Sequence, residues 1–72
     1  MKTERDVITA VDALKQIIDK LMADLDRIEK KQEANQDDIW TYEELEYDIK
    51  RLSYQIAVKK ERLKALEWVL ND

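Results

Sequence analysis

The chain has no Cys, His, Gly, Pro or Phe among its 72 residues. Without Cys there is neither a disulfide nor a thiolate ligand, and without His the second common side chain of zinc and transition-metal sites is missing as well. A chain without Gly lacks the material for a phosphate-cradling loop, an oxyanion loop or the sharp turn of a calcium-binding EF-hand. Ser53 is the only serine and has no His to serve as its base, so nucleophilic catalysis is not expected. Di-metal helical bundles need a Glu-x-x-His pair, which this chain cannot supply. No apolar run approaches the ~20 residues of a membrane span. The opening stretch MKTERDVITAV is polar and acidic where a secretory leader needs an apolar run. The chain is therefore expected to be cytoplasmic, to use no cofactor and no metal, and to avoid membranes. A net charge of −4 also works against nucleic acids and anionic lipid surfaces, which are bound by basic patches.

What remains is 42% charged and 44% hydrophobic residues, with the turn-forming Gly and Pro absent, a composition of long helices. Val7, Val11, Leu14, Ile18, Leu21, Leu25 and Ile28 alternate by four and three, the a/d spacing of a coiled-coil seam, which then turns polar at Gln32 and Asn35. Tyr42, Leu45, Ile49, Leu52, Ile56, Lys59, Leu63, Leu66 and Leu70 repeat the alternation in a different phase. One straight coiled coil would need a stammer between the two runs, so a reversal of the chain is expected there.

Thr41-Tyr42-Glu43-Glu44 reads as a capping box, with Trp40 and Leu45 placed as its hydrophobic staple. Asn35 reads as a left-handed residue closing the first helix, and Thr3 with Asp6 as a weaker start signal. These signals place helices at 4–35 and 42–70 with a turn at 36–41. The fold class is all-α, an antiparallel two-helix coiled-coil hairpin, expected to dimerise into a four-helix bundle because so short a chain encloses little core and has no covalent staple.

In an antiparallel pair an a residue faces a d residue. One register satisfies this throughout, pairing Gln32 with Leu45, Ile28 with Ile49, Leu25 with Leu52, Leu21 with Ile56, Ile18 with Lys59, Leu14 with Leu63, Val11 with Leu66 and Val7 with Leu70. The same register brings the base-free acidic stretch from Asp37 to Asp48 beside Arg27, Lys30 and Lys31. It also sets Lys59, Lys60, Arg62 and Lys64 near Asp12 and Asp19. Lys59 is read as a seam lysine whose stem covers Ile18 while its ammonium reaches water near Asp19.

Trp40, Tyr47, Tyr54, Glu61 and Trp68 recur every seven residues at f, the position facing away from the seam, with Val58 and Ala65 beside them. Half-exposed Tyr and Trp are ordinary on small helical proteins, but a contiguous aromatic row is a candidate contact surface for a protein partner. Trp40, Tyr47, Tyr54, Val58 and Trp68 are the expected interaction residues. The first helix is also broader than one seam requires, with Ile8 and Met22 at e and Ala10 and Ile17 at g. Like charges face each other along the e edge, Glu29 with Glu46 and Lys15 with Lys60, and a second hairpin placed antiparallel about Met22 and Ser53 would relieve them. Ile8, Lys15, Ile17, Met22, Glu29, Glu46 and Lys60 are accordingly the expected self-association residues of a homo-oligomer, a dimer being favoured.

Glu43, Glu44, Glu46 and Asp48 are spread around their helix and read as a solvated acidic first turn. Bases interspersed along both helices argue against a nucleic-acid mimic, except at the Asp37 to Asp48 end. The expected function is a non-enzymatic protein–protein interaction module, an adaptor, inhibitor or assembly factor. The alternative is a purely structural oligomer whose aromatics are consumed by its own interfaces.

Overall fold

The two phases of the apolar pattern become two helices packed along one another. The computed structural model describes residues 4–71, with α1 spanning Glu4–Ala34 and α2 spanning Ile39–Asn71. The molecule measures 53 × 17 × 14 Å. A helix the length of α2 is itself about 50 Å long at 1.5 Å per residue, so the rod is one helix long and two helices wide. This is the antiparallel helical hairpin that the seam spacing predicts.

Helix α2 begins three residues earlier than the Thr41 capping box predicts. Asp38 is its N-cap: one carboxylate oxygen accepts from the Thr41 backbone N–H at 3.3 Å, and the other from the Thr41 hydroxyl at 2.8 Å. The Asp38 carbonyl accepts the first helical bond from the Tyr42 N–H at 2.8 Å. Thr41 is therefore inside the first turn as a donor, and Trp40, which a staple would bury against Leu45, is instead 81% exposed. An acid is the better cap because its charge also meets the positive end of the helix dipole.

The close of α1 differs from expectation too. No described residue has a positive φ, so Asn35 is not left-handed. Its side-chain amide donates to the Lys31 carbonyl at 2.7 Å, satisfying one of the carbonyls that a helix end leaves open. Asn35 N–H to Gln32 carbonyl and Asp38 N–H to Asn35 carbonyl, both 3.1 Å, then turn the chain over residues 35–38 without glycine. Thr3, the start signal proposed for α1, lies outside the described residues.

Three points along the rod agree with the expected register. Near the turn, the Gln32 side-chain amide donates to the Tyr42 carbonyl at 3.3 Å, tying one helix to the other. In the middle, Ile17 and Leu21 share a groove with Tyr54, Gln55, Val58 and Lys59. At the far end, Val7 and Leu70 line one groove with Glu4 and Val69.

Val11, Leu14 and Ile18 of α1 and Leu45 and Ile56 of α2 form the buried core. Leu21, Leu25, Ile28, Ile49, Leu52, Leu63, Leu66 and Leu70 are half-buried, and none of the described side chains is fully enclosed. Two helices have no third layer to close the flanks of their seam. Lys59 is half-buried in the same row and lines a groove with Ile17 and Leu21, but it forms no ion pair with Asp19.

The long-range charge pairing is also resolved differently. Arg27 pairs with Asp24, Lys30 with Asp26 at 3.1 Å and Arg51 with Asp48 at 3.4 Å, each within its own helix. Residues three or four apart are already neighbours on a helix surface, whereas reaching across the hairpin would fix two long side chains in water for little gain.

Truncating Ile56→Ala removes a buried seam residue and is expected to cost about 2–4 kcal/mol, while Ser53→Ala on the exposed side stays near neutral and Lys59→Leu raises stability. Urea titration followed by circular dichroism tests this; equal effects of Ile56→Ala and Ser53→Ala would show that the seam does not hold the hairpin. Asp38 supplies a pH test. Its carboxyl is held below the ordinary value of 3.8, first by the Thr41 hydroxyl and then by the Thr41 backbone N–H, against a smaller opposing effect of desolvation. A lowered folded pKa stabilises the fold above 3.8, and that contribution is lost as acid titrates the folded carboxyl below it. Asp38→Asn keeps a capping oxygen without the titration, so its melting temperature should fall less than the wild type's between about pH 5 and pH 2; parallel curves would discount the cap.

Candidate interaction surface

The hairpin seam occupies one face of α2, and the opposite face carries four of its five aromatics, Tyr42 being on the seam row. Trp40 is 81% exposed, Tyr47 70%, Tyr54 72% and Trp68 69%, so the row lies in solvent over nearly the full length of the helix. Val58, 38% exposed, lies in the groove with Tyr54, and Ala65 and Val69 line a second groove with Trp68. These side chains are brought together by helical periodicity alone, because positions seven apart return to the same side of the cylinder.

The two helices differ in kind. Apolar residues of α1 are concentrated on the seam side, and its outer rows are polar, with Asp12, Gln16, Asp19, Asp26, Lys30 and Glu33 all exposed. Those of α2 lie on two opposite sides, so its amphipathic character nearly cancels. The hairpin covers the apolar side of α1 and only one of the two apolar sides of α2.

Surface area gives the scale of what is left open. The chain exposes 6096 Å², against about 4,700 Å² for a compact monomer of its mass. The four aromatics alone contribute on the order of 500 Å², comparable with the largest patches found on ordinary monomers.

The expected self-association residues do not share one surface. Lys15, Glu29, Glu46 and Lys60 are exposed and form no ion pair among the described residues, and Ile8 and Met22 are 45% and 46% exposed. Glu46 lines a groove near the turn with Gln36, Ile39, Tyr42 and Glu43. Ile17, in contrast, belongs to the groove of Tyr54 and Val58, on the aromatic side of the molecule. Its g position on α1 foreshadows this, since the g edge and the e edge lie on opposite flanks of a seam.

Sequence reasoning passed over Ile39 and Val69, which are 67% and 55% exposed and extend the apolar surface at either end of α2. Ile39 was obscured by the placement of the turn over 36–41, and Val69 by its position one residue from Trp68. Among the described residues no group of three or more acidic side chains is placed to hold a metal ion, and no helix is long and apolar enough to cross a membrane. The grooves are shallow and open.

Comparison with known proteins leaves this surface to be read on its own terms: no protein-family model matches the chain, and neither the curated proteins nor the solved structures compared with it give a significant match.

Proposed function

We propose that this chain is a non-enzymatic protein-interaction module of the cytoplasm, a small acidic helical hairpin that works as an adaptor, inhibitor or assembly factor through self-association and its aromatic row. The observation that carries the reading is the exposure of Trp40, Tyr47, Tyr54 and Trp68 on the one face of α2 that the hairpin leaves uncovered. Aromatics dominate the energetics of protein interfaces because each removes a large rigid area from water at small entropic cost. A purely structural oligomer is the second reading, favoured by the surplus surface, more than half of which a self-interface of ordinary size would remove.

Light scattering over a concentration series, comparing wild type with Tyr47→Lys, Tyr54→Lys, tests the role of the row. An oligomer that the double substitution dissociates, with helix content unchanged, supports it as a contact surface. An oligomer indifferent to the substitution reserves the row for an outside partner, and a monomer at every concentration removes self-association from the function.

A further inference from the structure

Helix α2 carries a second coiled-coil seam on its outer side. The f row, Trp40, Tyr47, Tyr54, Glu61 and Trp68, interleaves with the c row, Glu44, Arg51, Val58 and Ala65, at alternating spacings of four and three. The two rows are adjacent on the helix and lie on its outer side, reached from α1 at the groove that Tyr54 and Val58 share with Ile17 and Leu21. Glu61 interrupts the aromatics and Arg51 is the base of the c row.

We infer that a second copy of this chain occupies the seam, with the two α2 helices antiparallel about a twofold axis at the level of Ile56. The inference rests on the reading of the aromatic row as a contact surface and names its occupant. In an antiparallel pair each f residue faces a c residue of the other copy. One register then sets Tyr54 against Val58, Tyr47 against Ala65, Arg51 against Glu61 and Trp68 against Glu44, each contact made twice by symmetry. Tyr54 and Tyr47 meet the smaller Val58 and Ala65, and the acid of the f row meets the base of the c row.

Neighbouring registers lose the pairing of Arg51 with Glu61. Sliding one heptad toward the turn sets Glu44 against Glu61, like charge on like, and sliding one heptad the other way sets Glu61 against Val58. Arg51 is free to turn outward, since it is held only by Asp48 of its own helix at 3.4 Å and its side chain remains 60% exposed. One flank adds a complementary pair, Asp48 with Arg62, while the other sets Lys50 near Lys64.

The chain exposes roughly 1,400 Å² more than a compact monomer of its mass, whereas a standard interface removes ~800 Å² from each partner. The arrangement also accounts for the difference between the helices: α2 is covered on both sides and α1, with its polar outer rows, is covered on one. The four helices lie in a single layer, α1–α2–α2–α1, in place of the square bundle that contact along the Met22 edge would build.

Charge reversal across the seam provides the test. Sedimentation equilibrium on the full chain should show a wild-type dimer that Arg51→Glu or Glu61→Arg each weakens by about tenfold or more, and that the double swap Arg51→Glu, Glu61→Arg restores to within about threefold. Glu61→Gln, which leaves the Arg51–Asp48 pair intact, should weaken it to a lesser degree, and circular dichroism confirms that each variant keeps its helices. A dimer dissociated by Tyr47→Lys, Tyr54→Lys but unmoved by the charge swaps overturns the register and leaves the aromatic row as a contact surface. A dimer unmoved by either set overturns both. A monomer at every concentration overturns the second copy as occupant, and the row is then left to a foreign partner.

Discussion

A helix packed against a single neighbour can bury only one of its sides, and everything distinctive about this molecule follows from that limit. The seam encloses Val11, Leu14, Ile18, Leu45 and Ile56 and leaves the remaining aliphatics half-open, since there is no third element to cover their flanks. The same openness accommodates Lys59 in the seam, where it is half-buried and lines an open groove with Ile17 and Leu21. In a three-layered core that groove would be closed and the charge would need a partner. What two helices cannot cover is equally informative, because the uncovered side of α1 is charged and that of α2 is aromatic.

The seam was legible because burial acts on every fourth and third residue in turn, leaving a long-range pattern that survives local ambiguity. The start of α2 was not, and the reason is local. Asp38-x-x-Thr41 and Thr41-x-x-Glu44 are overlapping cap patterns in one short stretch, and periodicity does not distinguish them. The capping box promises two reciprocal bonds, but the earlier site offers two acceptor oxygens with full charge, and α2 extends back to use them. Asn35 was misread for a related reason: its amide has a use as a donor to the Lys31 carbonyl that requires no left-handed backbone.

Surface chemistry was less legible than the core. The placement of the aromatics in solvent follows from the heptad phase, and the structure puts all four there. The partners of Arg27 and Lys30 do not follow from it, because exposed ion pairs differ by fractions of a kcal/mol and proximity along one helix decides among them. Ile17 is grouped with Met22 among the expected self-association residues although its g position and the e position of Met22 lie on opposite flanks of α1; the groove it shares with Tyr54 and Val58 joins it to the aromatic side. The outer face of α2 thereby gains a neighbour from α1, and the apolar surface wraps from one helix onto the other.

The hairpin also has a mechanical character. Val7 and Leu70 share a groove at one extremity, and the turn lies about one helix length away at the other. A force pulling the two described ends apart acts across the rod, so it loads the Val7–Leu70 layer first and passes to the next only when that one has parted. The seam opens as a zipper, one layer at a time, and never resists as a whole in shear. Held by its ends the molecule is a weak link, while a load carried along the rod, from the turn to the paired ends, is borne by both helices at once.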